Sequence, residues 1–210
     1  MNEVLTVLQL IGVVSFAISG AMTAIRKQFD IFGVMILAIV TALGGGLIRD
    51  IIINVVPPFC FAQPIYLYVA AITGLLFFLP VIRRPLMKKR MLFDQVMFWT
   101  DTVGLGLFAV TGVQAAQAAS AEFHPALLLF VGMLTGTGGG ILRDMMVCEI
   151  PGIFVKHVYA LATLAGAAVY LVLEHFEMNR YAALVIGSAF VIVLRYFAAK
   201  YRWNMPRAKE

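Results

Sequence analysis

Charge is what this chain most conspicuously lacks. Of its 210 residues only 13% are Asp, Glu, Lys or Arg, while 62% are hydrophobic. Soluble domains carry about 25% charged and about 45–50% apolar residues, so this supply cannot coat a water-exposed surface. The mean hydropathy of +0.94 agrees, and a lipid bilayer is the solvent that fits. Catalytic signatures are also missing. There is no dinucleotide fingerprint, no P-loop ending in Gly-Lys-Ser/Thr and no His-Glu-x-x-His. No Ser-His-Asp set is apparent, so an enzyme is not expected. His124, His157 and His175 sit near the ends of apolar stretches without metal-ligand spacing. Met1-Asn2-Glu3 provides no basic n-region and no small-residue cleavage site follows, so the first apolar stretch reads as a retained helix.

What is present is a series of seven apolar stretches, near 4–25, 31–53, 64–82, 94–115, 125–147, 155–173 and 181–199. Each is close to the ~20 residues that cross a ~30 Å hydrocarbon core. The expected fold is an all-α integral membrane protein, one transmembrane domain over 1–210. Seven crossings put the basic residues of the joints on two faces very unequally. Arg26, Lys27, Arg83, Arg84, Lys88, Lys89, Arg90, Lys156, Lys200, Arg202, Arg207 and Lys209 fall on one face, and Arg180 alone on the other. The positive-inside rule makes the richer face cytoplasmic, with the N-terminus outside and the C-terminus inside. The pI near 9.4 therefore reflects topology, and nucleic acid is not an expected partner. The same topology separates Cys60 from Cys148 across the membrane, so a disulfide between them is excluded.

The chain repeats itself. Gly44-Gly45-Gly46-Leu47-Ile48-Arg49-Asp50 recurs 94 residues later as Gly138-Gly139-Gly140-Ile141-Leu142-Arg143-Asp144, and "SFAISG" (15–20) recurs as "LFAVTG" (107–112). The unit is three helices, about 4–82 and then about 94–173, with 181–199 as an extra seventh. An odd number of crossings per unit inverts the second copy, an arrangement that places a site near the midplane. Two readings of the glycines are open. They let helices approach closely, or they break or kink spans two and five. A break frees backbone carbonyls of Thr41, Leu43, Gly44, Thr135, Thr137 and Gly138 as cation ligands in a polar cavity.

The charges beside the glycines point to the same place. Arg49 and Asp50 are the only charges between 31 and 82, as are Arg143 and Asp144 between 125 and 148. An intramembrane charge costs at least ~2.5–3.5 kcal/mol at the centre and marks a pathway or a buried pair. Neighbours on a helix point about 100° apart, so each arginine is expected to reach an adjacent helix, with Asp101 the partner of Arg143. Arg195, near the inner end of the last span, is expected to snorkel to the interface. Gly12, Ser15, Ser19 and Thr23 form a small, polar stripe on span one, and Asp101, Gly104, Thr111 and Ala115 form its counterpart on span four.

A doubled Gly-Gly-Gly-x-x-Arg-Asp on spans two and five of a seven-span chain of this length resembles the prokaryotic branch of the trimeric intracellular cation (TRIC) channel family, over essentially the whole chain. The resemblance implies a multi-pass protein of the bacterial inner membrane. It implies a homotrimer with one pore per subunit, lined by kinked spans two and five and conducting K⁺ or Na⁺ without any cofactor. Some bacterial members are linked to glycine uptake, so a secondary transporter of a small zwitterion remains the alternative. The Lys-Glu-Val motif that ties the animal relatives to phosphoinositide binding has no equivalent here. Membrane lipids are the other expected contact.

Overall fold

The computed structural model describes residues 3–155 and 158–203; Lys156, His157, Arg207 and Lys209 lie outside them. The described residues form ten helices: α1 (Glu3–Arg26), α2 (Ile31–Ile52), α3 (Phe59–Ala62), α4 (Ile65–Phe78), α5 (Pro80–Lys88), α6 (Arg90–Ala119), α7 (Pro125–Met146), α8 (Gly152–Val155), α9 (Tyr159–His175) and α10 (Arg180–Lys200). Five of these (α1, α2, α6, α7 and α10) are long and apolar enough to cross a membrane, and the count is six only when the bent pair α4–α5 is taken as one span. The apolar helix α9 fills the sixth expected stretch with only 17 residues.

The third stretch differs from its expectation. It ends at Phe78, and the chain bends by 67° before α5. Pro80 explains the bend. Proline keeps its predecessor out of the helical region, and Leu79 is extended at φ −60°, ψ 135°.

The duplication is visible in the elements themselves. α2 and α7 are both 22 residues long and start and end 94 positions apart. Asp30 caps α2 by accepting the Gly33 amide, and His124 caps α7 by accepting that of Ala126. Past the C-terminal ends, Asn54 and Cys148 both take positive φ of 55°. Val55 donates to the Asp50 carbonyl at 2.8 Å and Glu149 to that of Asp144 at 2.9 Å. One backbone turn is used twice.

The expected break at the glycines does not occur. α2 and α7 run without interruption through Gly44–Gly46 and Gly138–Gly140. The carbonyls of Thr41, Leu43, Gly44, Thr135, Thr137 and Gly138 consequently belong to the helical ladder, which corrects their reading as freed cation ligands. The glycines serve close approach instead. A Cβ on Gly45 would lie 2.2 Å from the Thr135 carbonyl oxygen, and one on Gly139 would lie 2.0 Å from that of Thr41. Those contacts are reciprocal and antiparallel, the pattern of a local two-fold axis between α2 and α7. The outer helices repeat it: Gly12 receives the Phe108 ring and Gly104 the Phe16 ring.

Candidate functional site

Antiparallel crossing of α2 and α7 puts Arg49 and Arg143 on opposite sides of the glycine contact. Each lies four residues beyond it, about 6 Å along an ideal helix.

Arg143 is 1% exposed. Its Nε donates to Asp144 Oδ1 at 2.8 Å, and its Nη1 donates to Asp101 Oδ1 at 2.8 Å. Nη1 also donates to Ser19 Oγ on α1. The inferred Asp101–Arg143 pair is therefore present, at 2.8 Å. Arg195 completes the group. It is 4% exposed and donates to Thr102 Oγ1 at 3.4 Å, with Asp101 Oδ2 at 4.0 Å. The Tyr159 and Phe98 rings lie 4.5 and 5.5 Å from its guanidinium carbon. Snorkelling is thus corrected: Arg195 points inward because a carboxylate lies within reach, and in a low dielectric that attraction outweighs distant water. Its signal was legible, since it is the only charge between 181 and 199. Two arginines and two aspartates make the cluster formally neutral.

Arg49 occupies the corresponding place on α2, 4% exposed. Its Nε donates to Asp50 Oδ1 at 2.8 Å, and it stacks 4.9 Å from the Phe59 ring centre. Both arginines pair with the aspartate next in sequence; Arg143 also reaches Asp101 and Ser19 on adjacent helices as expected, whereas among the described residues the ion pair of Arg49 is with Asp50. A long side chain folding back over its own turn closes the ~100° between neighbours. The second oxygen of each aspartate has a different task. Asp50 Oδ2 accepts the Phe59 amide at 2.7 Å and Asp144 Oδ2 that of Gly152 at 2.8 Å. These bonds pin the starts of α3 and α8 under the ends of α2 and α7.

The two stations are not equal. Where Asp101 stands on α6, the position 92 residues earlier on α1 is Gln9, which accepts the Tyr66 hydroxyl. The Arg49 side is almost closed, a space of about 10 Å³ lined by Gln9, Arg49, Phe59, Phe108, Thr111 and Thr135. That is at the lower limit for one water molecule. The Arg143 side opens into a cavity of about 290 Å³ lined by Thr23, Arg26, Asp101, Arg143, Asp144, Glu149 and Arg195, among others. Between them the Phe16 and Phe108 rings meet at 5.4 Å. Thr23 and Thr111 each donate their hydroxyl proton to the carbonyl four residues back, which leaves acceptor lone pairs facing these hollows. Thr41 and Thr135 do the same, but their hydroxyls sit against Gly20 and Gly112. Among the described residues no group of three or more His, Cys, Asp and Glu is placed to hold a metal.

Glu149 was missed, because a lone acid after a span looks like any loop residue. It spans the cavity mouth, 3.0 Å from Arg26 Nη2 and 2.9 Å from Lys27 Nζ. Hydrogen bonding to Lys27, together with the charge of Arg26, holds its carboxyl below its ordinary value of 4.5. A lowered carboxylate keeps its contribution above the ordinary value and loses it as pH falls through the lowered one, so the latch should open only below pH 4.5. Exposed ion pairs are worth about 0.2–1 kcal/mol. Glu149→Gln should therefore change solvent access through this mouth by no more than about fivefold, and it should remove any acid-induced change in that access. An acid response of equal size in wild type and variant would exclude the latch.

Comparison with known proteins places this architecture. A family model described as "Glycine transporter" matches residues 6–81 and 98–175, the two three-helix units. A UPF0126 membrane protein of Deinococcus radiodurans is 38% identical over 95% of this chain and 89% of its own length. The UPF0126 inner membrane protein YadS of Escherichia coli is 34% identical over 95% and 93%. The crystal structure of a TRIC trimeric intracellular cation channel orthologue from Rhodobacter sphaeroides superposes with a TM-score of 0.87. It is 33% identical, covering 96% of this chain and all of the other. A structure described for conductance through TRIC cation channels gives 0.84 at 31% identity, covering 98% and 97%.

Proposed function

The chain belongs to the glycine transporter family of multi-pass bacterial membrane proteins and has the fold of the prokaryotic TRIC proteins, and from that premise we propose that it is a monovalent cation channel with one pore in each protomer of a homotrimer. The pore runs inside the inverted pair of three-helix units. It passes from the Arg143 cavity by Ser19, between Phe16 and Phe108, and by Thr111 to the Arg49 pocket. In this reading the path is shut where the Phe16 and Phe108 rings meet and at the glycine crossing. The N-terminus is outside and the C-terminus cytoplasmic, so the Arg143 cavity faces the cytoplasm.

The observation that carries this reading is the compensated cluster under the cavity. A bare guanidinium in a narrow path repels cations, by ~4 kcal/mol at 4 Å and an effective dielectric of 20. Asp101 and Asp144 cancel the charges of Arg143 and Arg195, while threonine oxygens offer acceptors along the way. Cations pass such a lining without a net electrostatic barrier.

The family description supports a second reading, a carrier for glycine. A guanidinium beside carboxylates is complementary to a zwitterion. A carrier that held the carboxylate at the N-termini of broken half-helices would need breaks that the continuous α2 and α7 lack. Liposomes loaded with K⁺ separate the readings. A channel gives K⁺ efflux that does not saturate and ignores external glycine. A carrier gives saturable glycine uptake with no independent K⁺ leak, and that result would overturn the proposal.

A further inference from the structure

The run Arg83-Arg84-Pro85-Leu86-Met87-Lys88-Lys89-Arg90 holds five basic residues and no acid. Positive charge at the end of a span is ordinary topology, and such side chains normally point into water. Here the geometry differs. α5 leaves α4 at 67°, and helical spacing divides it into two faces. Val81, Ile82, Pro85 and Leu86 make one, while Arg83, Arg84, Met87 and Lys88 make the other. The basic face turns back toward the corner between α1 and α2, across a cleft of about 490 Å³. Ile25, Gln28, Phe29 and Phe78 form the opposite wall.

Three cations thus share a cleft whose lining includes no carboxylate. Among the described residues no ion pair involves Arg83, Arg84 or Lys88. Arg83 lies 5.1 Å from the centre of the Phe78 ring. Asp30, the acid nearest this corner in sequence, is engaged in capping α2 through the Gly33 amide. The cleft calls for a negative charge on one side and apolar atoms on the other. An inorganic anion satisfies only the first wall. The location favours an amphipathic occupant too: an amphipathic helix with no buried residue suits the bilayer interface, and the cleft sits at the ends of α1 and α4 and the start of α2, at head-group depth.

We propose that this cleft binds an anionic phospholipid. Its phosphate lies among Arg83, Arg84 and Lys88, and the first part of its acyl chains lies against Phe29 and Phe78. The site is independent of what passes through the Arg143 cavity.

The test uses the full chain in a neutral detergent, titrated with phosphatidylglycerol or with phosphatidylcholine of the same acyl chains. Bound lipid is counted by native mass spectrometry. One phosphatidylglycerol per chain should persist where phosphatidylcholine does not. Arg83→Gln, Arg84→Gln and Lys88→Gln together should weaken it about a hundredfold, the scale for three basic side chains at an anionic surface. Arg84→Gln alone, at an exposed position where folding is not in question, should weaken it about fivefold. A control that removes equal charge elsewhere, Arg90→Gln with Lys200→Gln and Arg202→Gln, should change it by less than about threefold. Equal losses in the two triple variants, equal binding of phosphatidylcholine, or displacement of the lipid by millimolar inorganic phosphate would each overturn the proposal.

Discussion

Asp101→Asn should remove most of the folded protein, and whatever survives should conduct poorly. Asp101 Oδ1 accepts from Arg143 at 2.8 Å and Oδ2 lies 4.0 Å from Arg195, so one substitution strips charge from two buried arginines. Arg143 keeps Asp144, but Arg195 is left without a carboxylate in the described residues. Breaking a buried pair by removing one partner costs about 3–5 kcal/mol, a large share of the ~5–15 kcal/mol that stabilises a typical domain. Adding Arg195→Met to Asp101→Asn restores neutrality, and this double variant should recover much of the lost yield and melting temperature. Thermal unfolding in detergent checks both. A double variant no better than the single one would mean that charge balance is not what Asp101 supplies.

The glycine triplets provide the second large effect, and it is graded within each triplet. Gly139→Ala and Gly45→Ala place a methyl 2.0 and 2.2 Å from backbone carbonyl oxygens of the facing helix. Neither oxygen can move without prising α2 from α7, so each variant should lose at least the ~1–3 kcal/mol typical of overpacking. Gly44→Ala meets only the end of the Leu142 side chain, at 2.6 Å, and Gly138→Ala meets the Gly45 Cα at 3.0 Å. Both should be milder, by about 1 kcal/mol or more, because Leu142 can change rotamer and Gly138 needs a shift of only a few tenths of an ångström. If the glycines acted instead as flexible hinges, all three positions of a triplet would respond alike to alanine. Melting temperatures of the four variants decide between the two.

Much of this was readable from the chain alone. Apolar length located the helices, because a membrane helix must satisfy its backbone internally and leaves a long, uncharged signature. The 94-residue offset located the crossing. Asp101 and Arg143 were found as partners because they are nearly the only charges on their helices. What stayed hidden depends on direction rather than composition. Three glycines in a span fit a break as well as a contact, and the break is the preferred reading. The continuity of α2 and α7, with the Thr41 and Thr135 carbonyls against Gly139 and Gly45, decides for the contact. Arg195 could face lipid, water or protein, and its orientation is fixed by Asp101 on another helix. Pro80 did signal the end of α4, but the apolar run through Val81 and Ile82 masked it. Glu149 had no local signal, since Arg26 and Lys27 lie more than a hundred positions away.

A cation path inside each protomer is tested most directly by recording single molecules in planar bilayers. In symmetrical KCl one assembled trimer should show up to three equal current steps that gate separately and persist when glycine is added. Arg143→Ala should change the size of each step without changing their number. A single indivisible level would place the path on the trimer axis, and saturable glycine movement without unitary current would contradict the channel altogether.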